Sequence, residues 1–270
     1  MKKTISTLFT AALAISSLAS CKKNEATLTT KSQTYVLVHG AWQAPYVWDA
    51  VKTELVNKGN KVIVVELPGH GADSTATYTL SIDAYRDKVI EAINAENEKV
   101  ILVGHSMGGM VVTAVAEKIH SKISKLVYIG AFLPANGQAL VDLANTDPDS
   151  KLGPLLIESA DRLTLDVKAD SLTYLFINDG NATVKQQVID NYRAEPAIPF
   201  INKAVLTNEN FAAVNKVYIK TLQDVVISPG LQDRMIAAAG IKTVYTVNTS
   251  HSPFLFQPNE VAKLLVMIGK

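Results

Sequence analysis

Short apolar segments alternate with amphipathic ones along most of the chain, and this alternation constrains the fold more than any other feature. The apolar segments are rich in valine and isoleucine, as buried strands are. Several are apolar on both faces, which favours a mostly parallel α/β sheet with helices on both sides. The predicted strands are Thr34–Val38, Lys61–Glu66, Val100–Val103, Lys125–Ile129, Lys216–Thr221 and Lys242–Val247. The predicted helices are Tyr46–Lys58, Ser81–Ala95, Gly109–His120, Leu231–Ala239 and Asn259–Ile268.

The alternation stops between residues 134 and 215, where we expect a cap inserted into the sheet fold. Helical patterns are short here, prolines are frequent and no clear strand pattern is present. Such a segment lacks the regular elements of an independent domain. The sequence therefore predicts one domain over residues 34–270, with a helical cap at about 134–215.

The first 20 residues have the pattern of an export signal. Two lysines follow Met1, and the apolar stretch from Leu8 to Leu18 is too short to form a stable membrane span. Cys21 is the only cysteine and follows at the expected cleavage point. This arrangement resembles a bacterial lipoprotein signal, which implies an exported protein that is lipidated at Cys21 and anchored to a membrane of the cell envelope. The alternative is an ordinary secretory signal with a chance cysteine; residues 21–33 are expected to form a tether.

The balance of charges gives no reason to expect a nucleic-acid partner. The formal net charge is +1, and the chain has no basic stripe. Hydrophobic residues make up 48% of the chain, which is typical of a globular protein with a substantial core. No metal is expected, because the histidines are not at ligand spacing, and no organic cofactor is expected either.

Ser106 lies at a sharp break between a predicted strand and a predicted helix. The segment Gly104-His-Ser-Met-Gly108 matches the G-x-S-x-G pattern of a nucleophile elbow in that context. The two glycines allow close backbone approach, and the serine projects at the carboxyl end of the sheet. The alternative is a plain tight turn or a phosphate-binding turn, but neither G-x-x-x-x-G-K-[ST] nor G-x-G-x-x-G is present. Ser106 is therefore the predicted nucleophile.

A serine nucleophile needs an adjacent base, and His251 is the histidine in the expected position. It follows the last predicted strand, in a loop before the final helix. The alternative is an exposed loop histidine without a catalytic role. His105 is expected to point away from Ser106 and to pack, and the histidines at positions 39, 70 and 120 are expected to be structural.

The base in turn needs a carboxylate that fixes its tautomer, and in this fold that acid lies between the serine and the histidine in sequence. Asp224 follows the strand that ends at Thr221 and is the predicted acid. Asp233 is the alternative, but it lies inside a predicted helix. Asp179 belongs to an Asn-Asp-Gly segment, which indicates a turn.

Two backbone N–H groups are expected to bind the oxyanion. One belongs to Met107, the residue after Ser106. The other belongs to Ala41, in the loop after the first strand, where Gly40 allows the chain to turn. His39 is expected to hold this loop in place without transferring a proton.

These motifs together resemble the α/β-hydrolase superfamily from about residue 34 to the C-terminus, least so in the cap. The likeness is carried by HGAW at 39–42, YVW at 46–48, LPGHG at 67–71, GHSMGG at 104–109, YIKTLQD at 218–224 and the late His251. It is strongest to the branch that holds plant methylesterases, hydroxynitrile lyases and related bacterial carboxylesterases. The resemblance implies triad roles for Ser106, Asp224 and His251, and a small apolar acyl pocket under the cap.

The expected function is hydrolysis of a small, mostly apolar carboxylic ester through an acyl-enzyme. One alternative is a carbon–carbon lyase on the same scaffold, and another is a binding protein that keeps the triad but turns over slowly. Lyases of the resembling branch carry a threonine in the oxyanion loop and a lysine directly after the late histidine, where this chain has Gly40 and Ser252. Plant members usually have an apolar or basic residue at the second place, so the substrate preference is left open.

Overall fold

The computed structural model describes residues 32–207 and 209–270. The predicted signal peptide, Cys21 and most of the predicted tether lie outside these residues. The strands of the described part are, in chain order, β1 (Thr34–Val38), β2 (Lys61–Val65), β3 (Val100–His105), β4 (Ile123–Ile129), β5 (Leu156–Glu158), β6 (Thr164–Val167), β7 (Glu195–Pro196), β8 (Lys216–Thr221) and β9 (Thr243–Val247). Its α-helices are α1 (Asp49–Asn57), α2 (Ile82–Asn94), α3 (Gly108–Ile119), α4 (Leu140–Ala144), α5 (Leu172–Ile177), α6 (Ala182–Asp190), α7 (Ile198–Ile201), α8 (Pro229–Ala238), α9 (Pro253–Phe256) and α10 (Pro258–Gly269).

Six strands of the described part form one parallel sheet in the order β2-β1-β3-β4-β8-β9. The register pairs Val38 of β1 with Gly104 of β3, and His105 of β3 with Ile129 of β4. Because parallel strands end at the same edge of a sheet, the loops that follow β1, β3, β8 and β9 meet there. The predicted parallel sheet is confirmed.

The sheet is buried on both faces, as its continuous apolar strands predict. Along β1, Val36 and Val38 pack with α2 and α3 on one face, while Tyr35 and Leu37 pack with α1 and α10 on the other. All four are at most 1% exposed. Burying an aliphatic side chain of this size contributes about 1.5–3 kcal/mol to stability. This two-sided packing holds the strands, and therefore the loops at their carboxyl ends, in fixed positions.

The sequence signals for helix ends agree with the structure. Ser81 Oγ accepts a hydrogen bond from Ala84 N–H at 3.1 Å and so caps α2. Gly59 follows α1 with a φ of 81°, a left-handed conformation that glycine adopts without steric cost. Among the helices that the structure describes, none is long and apolar enough to cross a membrane.

The cap between β4 and β8 contains strands as well as helices, which corrects the prediction of a helical cap. Besides α4 to α7, it contains β5, β6 and β7, which pair as an antiparallel sheet. These strands have three, four and two residues, too few for an alternating pattern to be recognised in the sequence. Pro196 lies in β7, an edge strand, where a missing N–H is tolerated.

Candidate active site

Ser106 lies in a strained turn between β3 and α3. Its φ is 53°, in the left-handed region that costs a residue with a side chain about 1–3 kcal/mol. The glycine two residues later makes the turn possible, because a Cβ on Gly108 would lie 2.7 Å from the carbonyl oxygen of His39. The turn therefore brings β3, α3 and the loop after β1 into contact around Ser106, which is 5% exposed.

The structure brings together two of the predicted site residues, His251 and Asp224, as a buried pair. His251 Nδ1–H donates to Asp224 Oδ2 at 2.8 Å, and neither side chain is more than 1% exposed. Asp224 Oδ2 also accepts from Thr221 Oγ1 at 2.8 Å, and Oδ1 accepts from the N–H groups of Val226 and Ile227 at 2.8 and 3.0 Å. These donors hold the carboxylate in one orientation, which in turn orients the ring of His251.

His105 connects the serine turn to the loop of His251. Its Nε2–H donates to the backbone carbonyl of His251 at 2.9 Å, and the two ring centroids are 4.6 Å apart. Burial, together with the neighbouring His251, lowers the pKa of His105 well below its usual value, so the ring is neutral. This contact is more specific than the packing role that we expected. No hydrogen bond joins Ser106 Oγ to His251 Nε2 within the described residues, although catalytic hydrogen bonds often tighten only when substrate is bound.

The loop after β1 lies directly against Ser106. A Cβ on Gly40 would be 2.7 Å from the Cβ of Ser106, so only glycine fits at this position. His39 holds the loop, because its Nδ1–H donates to the Gly40 carbonyl at 2.9 Å and its Nε2 accepts from Leu67 N–H at 3.3 Å. Burial and the charge of His70 lower the pKa of His39 to about 3, so this ring is neutral and suited to a structural role.

Ala41 and Met107, the predicted oxyanion donors, directly follow the two residues that make this contact. Ala41 follows Gly40, Met107 follows Ser106, and both residues are at most 4% exposed. Neither N–H donates a hydrogen bond to another residue in the part of the chain that the structure describes. Two buried amides without a protein partner beside a serine are what an oxyanion-binding site requires.

The two alternative acids lie elsewhere. Asp233, on α8, forms an ion pair with Lys220, and its side chain is 63% exposed. Asp179 accepts hydrogen bonds from the N–H of Ser250, at 2.7 Å, and from the Ser250 hydroxyl. Asp179 therefore holds the residue before His251, and in the part of the chain that the structure describes it makes no hydrogen bond to the ring of His251. Across residues 32–207 and 209–270, no three histidine, cysteine, aspartate or glutamate side chains are grouped to hold a metal ion.

Comparison with known proteins identifies the family. Residues 35–264 match the model of the alpha/beta hydrolase family. The chain belongs to this family. Putative methylesterase 15 (chloroplastic) of Arabidopsis thaliana is 29% identical over 256 residues, which cover 89% of this chain but only 57% of that protein. Methylesterase 17 of the same plant is 29% identical over 253 residues, which cover 86% of this chain and 90% of that protein.

A solved structure supports the same fold for this alpha/beta hydrolase. The crystal structure of polyneuridine aldehyde esterase matches it with a TM-score of 0.79 and 21% identity. The match covers 89% of this chain and 100% of that chain.

Three carboxylates of the cap each contact a loop of this alpha/beta hydrolase at the carboxyl edge of the sheet. Besides Asp179, Asp147 accepts from the N–H and the hydroxyl of Ser228, at 2.8 and 2.5 Å, close to the Asp224 loop. Glu195 accepts from Trp42 N–H, in the loop after β1, at 2.8 Å. We did not predict these contacts, because each joins residues more than 70 positions apart and no local pattern marks them.

Aromatic side chains cover the site from the cap side. The ring centroid of Trp42 lies 5.7 Å from that of Phe176 and 5.6 Å from that of Phe200. The ring centroids of Phe176 and His251 are 6.2 Å apart. Phe176 belongs to α5 and Phe200 to α7. A separate cavity of about 860 Å³ lies between α8 and residues 211–216, and it is not lined by any of the predicted catalytic residues.

Proposed function

We propose that the chain is a serine hydrolase that cleaves small, mostly apolar carboxylic esters through an acyl-enzyme. The observation that carries the proposal is the buried 2.8 Å hydrogen bond between His251 and Asp224 beside the strained turn of Ser106. A serine on a strand–helix turn, a histidine and an orienting carboxylate form the arrangement that activates a hydroxyl. Similarity to proteins named methylesterases supports the same class of reaction.

In the proposed acylation, Ser106 Oγ attacks the ester carbonyl carbon while its proton passes to His251 Nε2. Asp224 keeps the other ring proton on Nδ1 and stabilises the imidazolium that forms. The oxyanion accepts hydrogen bonds from the N–H groups of Ala41 and Met107, and loss of one such donor typically lowers the rate about 100- to 1,000-fold. His251 then gives the proton to the leaving alcohol oxygen, the ester C–O bond breaks, and the acyl group remains on Ser106.

Deacylation repeats these steps with water. His251 takes one proton from the water molecule, whose oxygen attacks the acyl carbon. The bond to Ser106 then breaks, and His251 returns the proton to Ser106 Oγ. The products are a carboxylic acid and an alcohol, and the protein is regenerated without an oxidant or a cofactor.

The surroundings of the site support an uncharged, mostly apolar substrate. Trp42, Phe176 and Phe200 are each at most 5% exposed and offer mainly ring surface on the cap side. Apolar ring surface binds apolar groups through burial, while a few polar groups fix orientation. We therefore expect short-chain aryl or alkyl esters to be better substrates than charged ones.

A carbon–carbon lyase is less well supported by the residues at positions 40 and 252. A side chain at position 40 would collide with Ser106, so this loop has no room for the threonine expected of the lyases. Ser252 is fully buried, and its Oγ accepts from Gln43 Nε2 at 2.8 Å. It carries no charge that could stabilise departing cyanide, and a missing charge partner is costly in such a site. We expect no cleavage of mandelonitrile above background.

Hydrolysis of p-nitrophenyl acetate and butyrate tests the proposal, with Ser106→Ala as the inactive variant and the exposed Ser121→Ala as its matched control. Wild type and Ser121→Ala should turn over repeatedly and react once with a fluorophosphonate, whereas Ser106→Ala should do neither. A single stoichiometric burst without turnover would favour the slow binding protein. Labelling and hydrolysis by Ser106→Ala would contradict the assignment of the nucleophile.

We also propose that the protein is exported and anchored to a membrane of the cell envelope through lipid on Cys21. The support is the sequence pattern before Cys21, which lies outside the described residues. One acyl chain binds membranes only weakly, so stable attachment needs more than one. Full-length protein should fractionate with membranes, and Cys21→Ser should release it or block its processing. Detection of unmodified Cys21 in the mature protein by mass spectrometry would contradict this proposal.

A further inference from the structure

Glu195 is a buried carboxylate of the cap that contacts the loop after β1. Its Oε2 accepts from Trp42 N–H at 2.8 Å and lies 2.9 Å from His70 Nε2, and its Oε1 lies 3.1 Å from the same nitrogen. The side chains of Glu195 and His70 are 0% and 4% exposed. A charge so deeply buried is costly unless it is paired and hydrogen-bonded, and here it has both kinds of partner.

His70 supplies the charge that balances Glu195. Burial alone would lower the pKa of His70, but the negative charge and the hydrogen bond of Glu195 outweigh it and raise this pKa above its usual value. Its Nδ1–H donates to the Pro68 carbonyl at 3.1 Å, so both ring nitrogens have acceptors, as an imidazolium requires. The pair therefore joins cap strand β7 to the turn that follows β2.

The backbone of Trp42 has an unfavourable conformation that its contacts must hold in place. Its φ is 58°, and a bulky residue in the left-handed region costs about 1–3 kcal/mol. Glu195 fixes the peptide N–H of Trp42, and the Leu165 carbonyl accepts from the indole Nε1–H at 2.9 Å. The peptide group held by Glu195 joins Trp42 to Ala41. Its orientation therefore sets the backbone of Ala41, which directly follows the Gly40 that lies against Ser106.

We propose that Glu195, balanced by His70, is a positioning residue that holds the Ala41 N–H in place to bind the oxyanion. This inference rests on the proposed esterase function. Glu195 touches no reacting atom, and it acts through the Ala41–Trp42 peptide. Because the oxyanion forms only in the transition state, a displaced Ala41 N–H should lower kcat and leave KM nearly unchanged.

Three substitutions at position 195 separate positioning from a purely structural charge pair. Glu195→Gln keeps an oxygen for Trp42 N–H and can place its NH2 group toward a neutral His70, so its kcat should stay within about threefold of wild type. Glu195→Asp keeps the charge but withdraws the carboxylate from Trp42, and Glu195→Ala removes both contacts. Both should lower kcat about 10- to 100-fold, since misplacement by about 1 Å can cost that much.

The matched control is Asp166→Ala, on the neighbouring cap strand β6, where an exposed carboxylate bonds the Tyr192 hydroxyl. It should leave kcat and KM unchanged. The test rests on Glu195→Gln having a higher kcat than Glu195→Asp. It therefore remains decisive even if the Glu195→Ala variant does not fold. The inference is overturned if aspartate equals or exceeds glutamine in kcat, or if KM alone changes. Absence of ester turnover in wild type would instead overturn the proposed function.

Discussion

Replacing Asp224 with asparagine should leave the fold intact and reduce kcat severely. Asp224 Oδ1 accepts from the N–H groups of Val226 and Ile227, so the amide oxygen of asparagine must take that place. Its NH2 group then faces His251 Nδ1 and donates to it, which moves the ring proton to Nε2. With the proton on Nε2, His251 can no longer accept the proton of Ser106.

The contacts of the carboxylate also set the size of the effect. If the asparagine amide were rotated by about 180°, its oxygen would accept from His251 Nδ1–H and restore the tautomer that can take the proton of Ser106. The NH2 group would then face the buried N–H groups of Val226 and Ile227, which would lose their acceptor. Each unsatisfied group costs about 1–3 kcal/mol, or roughly 2–6 kcal/mol for both. At about 1.4 kcal/mol per tenfold, the population of the form with the useful His251 tautomer falls by roughly 30- to 20,000-fold. The equivalent change in a serine protease costs about 10,000-fold, within this range.

Initial rates on p-nitrophenyl acetate measure the loss, and circular dichroism with thermal unfolding checks the fold. Asp233→Asn is the matched control, because Asp233 is an exposed aspartate paired with Lys220. It should retain wild-type kcat. A folded Asp224→Asn variant within tenfold of wild-type kcat, or an impaired Asp233→Asn variant, would refute this account of the acid.

Substitutions at Gly40, Ser106 and Glu195 test three separate features of the site. Gly40→Ala would place a Cβ 2.7 Å from Ser106, and the resulting shift should lower kcat about 10- to 100-fold, whereas Gly153→Ala, which meets no neighbour, should not. Alanine at position 106 keeps the strain of the left-handed backbone, whereas glycine relieves it. The free energy of unfolding, measured in urea, should therefore be about 1 kcal/mol higher for Ser106→Gly than for Ser106→Ala. The stability of wild type relative to Glu195→Gln should be greatest below the unfolded pKa of histidine, about 6.5. This stability difference should decline as the pH rises through the raised pKa of His70. The groups that face His70 are Glu195, Arg193, His39 and Tyr85. A difference in Tm that does not depend on pH would contradict the charged pair.

The sheet could be predicted from the sequence because its signals are local. Val36 and Leu37 face opposite sides of β1 and are both apolar, so one short segment already indicates burial on both faces. The turn at Ser106 was recognisable because its glycines, strand and helix are contiguous. Asp224 could be selected over Asp233 because it lies in the loop directly after a strand, whereas Asp233 lies inside a predicted helix.

The contacts between cap and loops could not be predicted in the same way. Glu195 and Trp42 are 153 positions apart, and nothing near either residue marks the pairing. The Asn-Asp-Gly segment indicated a turn at Asp179 but not its bond to Ser250. The cap strands contain too few residues for a period to emerge. These contacts depend on how the insert folds back over the sheet, which the local pattern does not encode.

Peptide mass spectrometry tests most directly whether ester cleavage proceeds through an acyl group on Ser106. Wild type is mixed with p-nitrophenyl acetate, quenched in acid within one turnover and digested. We expect one added acetyl group, on the peptide that contains Ser106, formed as p-nitrophenol is released and lost as turnover continues. Ester turnover without an acylated intermediate, or with the acetyl group on another residue that turns over at the catalytic rate, would contradict it.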